Sequence, residues 1–76
     1  METRDMAYVL AVHEHGGIGR AAEALGLTQP ALSKAIHRVE SHLGLPLFER
    51  SPGGMAATTA GRVFIQRAKR IQLEYE

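Results

Sequence analysis

The stretch Thr28-Gln29-Pro30-Ala31-Leu32-Ser33-Lys34 gathers the side chains best suited to reading a nucleic-acid duplex. Gln29 can pair bidentately with adenine, Ser33 can donate or accept a hydrogen bond, and Pro30 offers an apolar contact to a thymine methyl. Lys34 can meet a guanine edge or a phosphate, and phosphate is the commoner partner, because most protein–DNA hydrogen bonds go to the backbone. The Thr28 hydroxyl and the free N–H groups of a helix start suit a phosphate oxygen. Other chemistry has less support. No Ser/His/Asp set, glycine-rich phosphate loop or metal cluster has catalytic spacing, so the expectation is a non-enzyme without cofactor or metal. In His13-Glu14-His15 the two imidazoles would point about 200° apart on a helix and could not share an ion. His37 is the one histidine on this outer face and a candidate DNA contact.

These groups need a helix with one buried and one free side. Thr28 is a good N-cap, and Pro30 falls in the first turn, where its missing N–H costs nothing. Leu32, Ala35, Ile36, Val39 and Leu43 lie within about 100° of one another, which predicts a buried stripe. Pro30, Ser33, Lys34, His37 and Ser41 take the opposite side, and Gly44 closes the helix. Upstream, the three- and four-residue spacing of Met6, Val9, Leu10 and His13 predicts a helix over residues 4–15, capped by Thr3 and stopped by Gly16-Gly17. A short helix from Ile18 or Gly19 to Leu25 follows, with Ala21, Ala22 and Leu25 inward and Gly26 at its exit. Residues 45–50 and 55–58 around Ser51-Pro52-Gly53-Gly54 predict a β-hairpin. Thr58 or Thr59 then caps a helix whose apolar seam is Phe64, Ala68, Ile71 and Tyr75. Arg62, Gln66, Lys69 and Arg70 lie off that seam. No stop signal closes this helix, so the chain is expected to be a piece cut inside a longer one.

Composition narrows the classes. Seventy-six residues hold one small core, burying about 60% of the unfolded surface. No cysteine is present, which excludes disulfides and thiolate zinc sites and suits a cytoplasmic location. No apolar run reaches the roughly 18 residues of a membrane span, and Met1-Glu2-Thr3-Arg4-Asp5 does not resemble the start of a signal peptide. Two tyrosines, two phenylalanines and no tryptophan leave little surface for stacking single-stranded bases. Net charge is only +1, but residues 20–70 hold eight Lys/Arg against three acids, while the ends hold one base and five acids. A basic middle between acidic ends is the layout to test against a polyanion.

Helix, short helix, glycine turn and capped helix make a helix-turn-helix over residues 21–36. Ala22 permits the close crossing, Gly26 makes the turn, and Leu25, Leu27, Leu32 and Ile36 lock the pair onto the first helix. The hairpin makes it a winged variant. The fold class is therefore mainly α: a winged helix-turn-helix with a three-helix core, a small β-hairpin wing and a C-terminal helix. The run Arg20-Ala21-Ala22, Leu25, Thr28-Gln29-Pro30-Ala31-Leu32-Ser33, Ile36, Val39-Glu40, Leu43-Gly44, Leu47-Phe48-Glu49-Arg50, Thr58 and Ala60-Gly61 resembles the DNA-binding domain of the LysR-type transcriptional regulators across essentially the whole chain.

That resemblance implies a bacterial regulator that binds double-stranded DNA at interrupted inverted repeats, with a further C-terminal part that takes a small-molecule inducer. It implies a division into a DNA-binding domain over residues 1–58 and the start of a linker helix over residues 59–76, the latter pairing two subunits through Phe64, Ala68, Ile71 and Tyr75. It puts the third helix in the major groove and the hairpin along the neighbouring backbone or minor groove. Three departures stand out. Gly17 replaces the usual serine, leaving a free N–H as the phosphate contact. The wing tip has no charge, so Arg50 and the N–H groups of Gly53 and Gly54 must serve there. Ala57 stands where a larger apolar residue is common, which predicts a loosely packed hairpin. Arg38, at the flank of the third helix, is a further phosphate candidate, and Arg50 has a competing role as partner of Glu40. The rival reading is a winged-helix protein–protein interaction module, which would present an apolar outer face; Ser33, Lys34, His37 and Ser41 argue against it.

Overall fold

The apolar periodicities wind into four helices and one hairpin, in the order α1 (Thr3–His15), α2 (Ile18–Leu25), α3 (Gln29–Leu43), β1 (Phe48–Ser51), β2 (Gly54–Ala57) and α4 (Thr59–Tyr75). The computed structural model describes residues 2–75, with side chains as far as residue 72. Helix α1 is the hub, touching α2, α3, α4 and β2. Val9 and Val12 of α1, Leu32 and Val39 of α3, and Leu47 before the hairpin are its fully buried large side chains. Truncating one such leucine to alanine typically costs about 2–5 kcal/mol, a large share of a small domain's stability.

Local signals set most boundaries. At α1, Thr3 is not the cap. Glu2 occupies that place: its carboxylate accepts from the Asp5 N–H, and Asp5 Oδ2 accepts from the Glu2 N–H at 3.1 Å. Two carboxylates at a helix N-terminus also complement its dipole, which a threonine would not. At α3, Thr28 Oγ1 accepts from the Ala31 N–H at 3.2 Å, and Pro30 sits in the first turn. Gly26 exits α2 at φ 70°, where other residues are strained, and Leu27 N–H returns to the Ala22 carbonyl at 2.9 Å.

The predicted stripe of α3 is buried at Leu32, Ala35, Ile36 and Val39, but Leu43 is 38% exposed, because the core does not reach the last turn. In α4, Ile65 is buried beside α1, a position outside the expected seam. Met55 and Ala57 of β2 lean on the same core.

The hairpin is antiparallel, with Phe48 opposite Ala57 and Ser51 opposite Gly54 around a Pro52-Gly53 turn. Two side chains anchor its base. Glu40 Oε2 accepts from the N–H groups of Leu47 at 2.7 Å and Phe48 at 3.4 Å. Thr58 Oγ1 accepts from the Gly61 N–H at 3.0 Å and donates to the Pro46 carbonyl at 2.7 Å. Glycine is required at 61, because a Cβ there would overlap the Leu47 carbonyl. The competing Glu40–Arg50 pair is absent among the described residues: Glu40 Oε2 is taken up by backbone donors, and Arg50 is exposed.

Candidate nucleic-acid interface

Three backbone segments far apart in sequence form one surface. The first is the start of α3, where Gln29, Pro30, Ser33 and Lys34 are all exposed while Leu32 and Ile36 on the opposite side are buried. The second is the start of α2. The Gln29 side chain lies beside it, with Oε1 3.7 Å from where a Cβ of Gly19 would be. The third is the wing, whose Met55 N–H donates to the Gly16 carbonyl at 3.3 Å. Gly54, at φ 128°, permits that approach: a Cβ there would come within 2.6 Å of the same carbonyl oxygen. The wing is thus bolted to the α1–α2 turn, next to the α2 start and, through it, to Gln29.

The surface is rich in unsatisfied donors. The first N–H groups of any α-helix lack intrahelical partners. Helix α2 has Gly17 as its N-cap and no side-chain cap, so its first N–H groups have no side-chain acceptor. Thr28 uses its oxygen to cap α3, which leaves its hydroxyl hydrogen free to donate. Lys34, Arg38 and Arg50 are exposed and form no ion pair among the described residues. Exposed cations beside free N–H groups are the surface chemistry of phosphate binding.

The flanks differ. Toward the start of α1, Lys34, His37, Arg38, Ser41 and His42 share a shallow groove with Glu2, Arg4 and Asp5. Glu2 pairs with Arg4 at 2.6 Å, and Asp5 is buried, so this flank mixes signs. Toward the hairpin, His37 Nδ1 lies 3.8 Å from Glu40 Oε1, with the imidazole 87% exposed. At the wing tip only Ser51, Pro52, Gly53 and Gly54 stand out, without charge, and Ser51 Oγ donates back to the Gly54 carbonyl at 3.3 Å.

The residues expected from sequence fall into groups. Gln29, Pro30, Ser33, Lys34 and Thr28 cluster at the start of α3, and Gly17, Gly53, Gly54 and Arg50 frame them on the α2 and wing sides. Arg38 sits on the α1 flank. On α4, Phe64 is half-buried and Ile71 is 37% exposed, while Val63 adds exposed apolar surface outside the expected seam. Ala68 departs from its expected place in an open dimer seam: at 2% exposure it is turned into its own chain and has nothing to offer a partner helix. The expectation for Tyr75 lies outside the described side chains. Glu40, the clamp on the hairpin, was not legible as such, since a carboxylate seven residues before its backbone donor follows no local pattern.

Among the described residues no group of histidines, cysteines and carboxylates could hold a metal ion, and no helix is long and apolar enough to cross a membrane. The family of bacterial regulatory helix-turn-helix proteins known as the lysR family matches residues 3–62. The HTH-type transcriptional regulator TfdS of Cupriavidus pinatubonensis is 44% identical over 71 residues, which is 93% of this chain and 24% of that protein. The chain therefore spans about a quarter of the length of the curated relatives it matches. The crystal structure of the CbnR_DBD–DNA complex is similar at a TM-score of 0.91 and 37% identity, over 99% of this chain and 86% of that one. The BenM_DBD/catB site 1 DNA complex is similar at a TM-score of 0.93 and 35% identity, over 99% and 84%.

Proposed function

We propose that this chain, which belongs to the lysR family of bacterial regulatory helix-turn-helix proteins, binds double-stranded DNA by inserting the start of α3 into the major groove. The observation that carries this reading is the outward row Gln29, Pro30, Ser33 and Lys34, exposed while Leu32, Ala35, Ile36 and Val39 on the other side of the helix are buried in the core. An α-helix fits the groove of B-DNA, and the first residues of such a helix reach base edges first. Its similarity to the CbnR and BenM DNA complexes supports the same use of the surface.

The roles divide by chemistry. Gln29 reads adenine, Ser33 and Pro30 test the neighbouring base edges, and Lys34 neutralises a phosphate. Thr28, the free N–H groups from Gly17 onward, Arg38, Arg50 and the N–H groups of Gly53 and Gly54 hold the two backbones. Phosphate contacts supply most of the affinity, and the α3 row supplies the preference. Two copies pair through α4, with Phe64, Ile71 and Tyr75 as the apolar contacts, and the two-fold symmetry makes the operator an interrupted inverted repeat. In the longer protein a separate effector domain takes a small-molecule inducer.

The test compares the duplex that the chain selects from a random pool with a scrambled duplex. Gln29→Ala is expected to lose about 1–3 kcal/mol on the selected duplex and much less on the scrambled one. Equal losses on both would remove Gln29 as a base reader. Lys34→Ala is expected to weaken both alike and lower the salt slope of binding by about one unit; an unchanged slope would contradict a phosphate contact.

A further inference from the structure

His37 lies in the α3 row but has no part in the division of roles above. It follows Ser33 by four residues and Lys34 by three, so it continues the same outward face by one turn. Its imidazole is 87% exposed, and Nδ1 is turned toward Glu40 Oε1 at 3.8 Å. Glu40 is itself held in place, because its other oxygen accepts from the Leu47 and Phe48 N–H groups at the base of the hairpin. The ring is therefore oriented with one nitrogen toward a fixed carboxylate and the other outward.

Position along the helix decides what the outer nitrogen meets. At 1.5 Å per residue His37 is about 12 Å beyond Gln29 along the axis. The major groove is about 8.5 Å deep and about 12 Å wide. A helix that enters the groove with its N-terminus foremost brings its third turn nearer the phosphate rim than its first. Lysine or arginine there would be a permanent charge, whereas histidine is charged only when protonated, and its ordinary titration falls between about pH 5 and 8.

We infer that His37 is a conditional phosphate contact, which makes the duplex affinity of this chain depend on pH. The inference rests on the proposed insertion of α3 in the major groove. In the protonated ring, Nδ1–H faces Glu40 and Nε2–H donates to a phosphate oxygen. A phosphate favours the charged ring, so binding takes up a proton and affinity rises as pH falls through the histidine range. The other groups facing this position are Lys34, Arg38 and His42 on α3 itself, and Glu2, Arg4 and Asp5 across the groove from α1. Of these only His42 is another imidazole, and it serves as the control.

The experiment is fluorescence anisotropy on a labelled duplex selected from a random pool, at constant ionic strength, between about pH 8 and pH 6. The chain is compared with its His37→Gln, His37→Arg and His42→Gln variants. The unchanged chain is expected to bind about fivefold tighter at the lower pH, as for a proton affinity raised by one unit on binding. His42→Gln should keep that gain and His37→Gln should lose most of it. His37→Arg should bind at pH 8 as tightly as the unchanged chain binds at pH 6. Equal pH dependence in the unchanged chain and His37→Gln would overturn the inference. So would weaker binding by both His37 variants at every pH, which would mark a neutral base-edge contact. Both results leave the groove insertion intact, whereas failure of the unchanged chain to bind any duplex at either pH would sink the proposed function itself. Melting temperatures of the variants check the fold, which an exposed ring should leave unchanged.

Discussion

The outer face of α3 and the hairpin are both exposed, and both frame the proposed interface, yet they are held in opposite ways. On α3 the helix itself does the positioning: Leu32, Ile36 and Val39 anchor one side, so Gln29, Ser33 and Lys34 project from the other without needing partners. The hairpin has little core of its own and an uncharged tip. It is fixed by backbone hydrogen bonds to distant groups: Glu40 at its base, Thr58 at its exit and the Gly16 carbonyl at its side. One region supplies chemistry on a rigid rod, and the other supplies a placed backbone. Side-chain changes on α3 should therefore alter what is bound, while changes around the hairpin should alter whether the interface is assembled.

The largest expected effect is on the hairpin side. Gly61→Ala drives a Cβ into the Leu47 carbonyl, which no rotamer change relieves, and should destabilise the fold by about 3 kcal/mol in a urea titration. A change below about 0.5 kcal/mol would show that α4 can shift away without cost. Next comes Glu40→Ala, which leaves the Leu47 and Phe48 N–H groups without their acceptor. A loss of about 1–2 kcal/mol is expected in the same titration. Specificity for the selected duplex over a scrambled one should fall far less than in Gln29→Ala; a collapse of specificity in Glu40→Ala would erase the contrast between the two regions. The smallest effect sharpens it. Gly53→Arg adds a charge to the wing tip and should tighten binding to selected and scrambled duplexes alike, by about 0.5–1 kcal/mol at low salt. A gain confined to the selected duplex would make the wing a reader of sequence.

The same contrast explains what could be read from the residues alone. The α3 stripe up to Val39, the Thr28 cap and the Gly26 turn are written in local spacing and lie where it puts them, and the Ser-Pro-Gly-Gly hairpin forms with its strands shifted to Phe48–Ser51 and Gly54–Ala57. The cap of α1 lies one residue before Thr3, because a carboxylate pair can cap as well as a hydroxyl. The links that hold the wing were not legible. Glu40 to Leu47 and Gly54 to Gly16 join side chain or glycine to a backbone group on another element, and such pairs leave no periodicity. Spacing along α4 puts Ala68 on an apolar face without saying what covers that face; α1 and its neighbours cover the first turns of α4, including Ile65.

The central claim is that the outward row at the start of α3 is the surface that meets DNA. Amide chemical-shift mapping of the chain as the selected duplex is added tests it most directly. The largest changes are expected in residues 28–38, with smaller ones around Gly17 and the wing tip. Changes centred on the exposed side of α4, with residues 28–38 left unmoved, would contradict it.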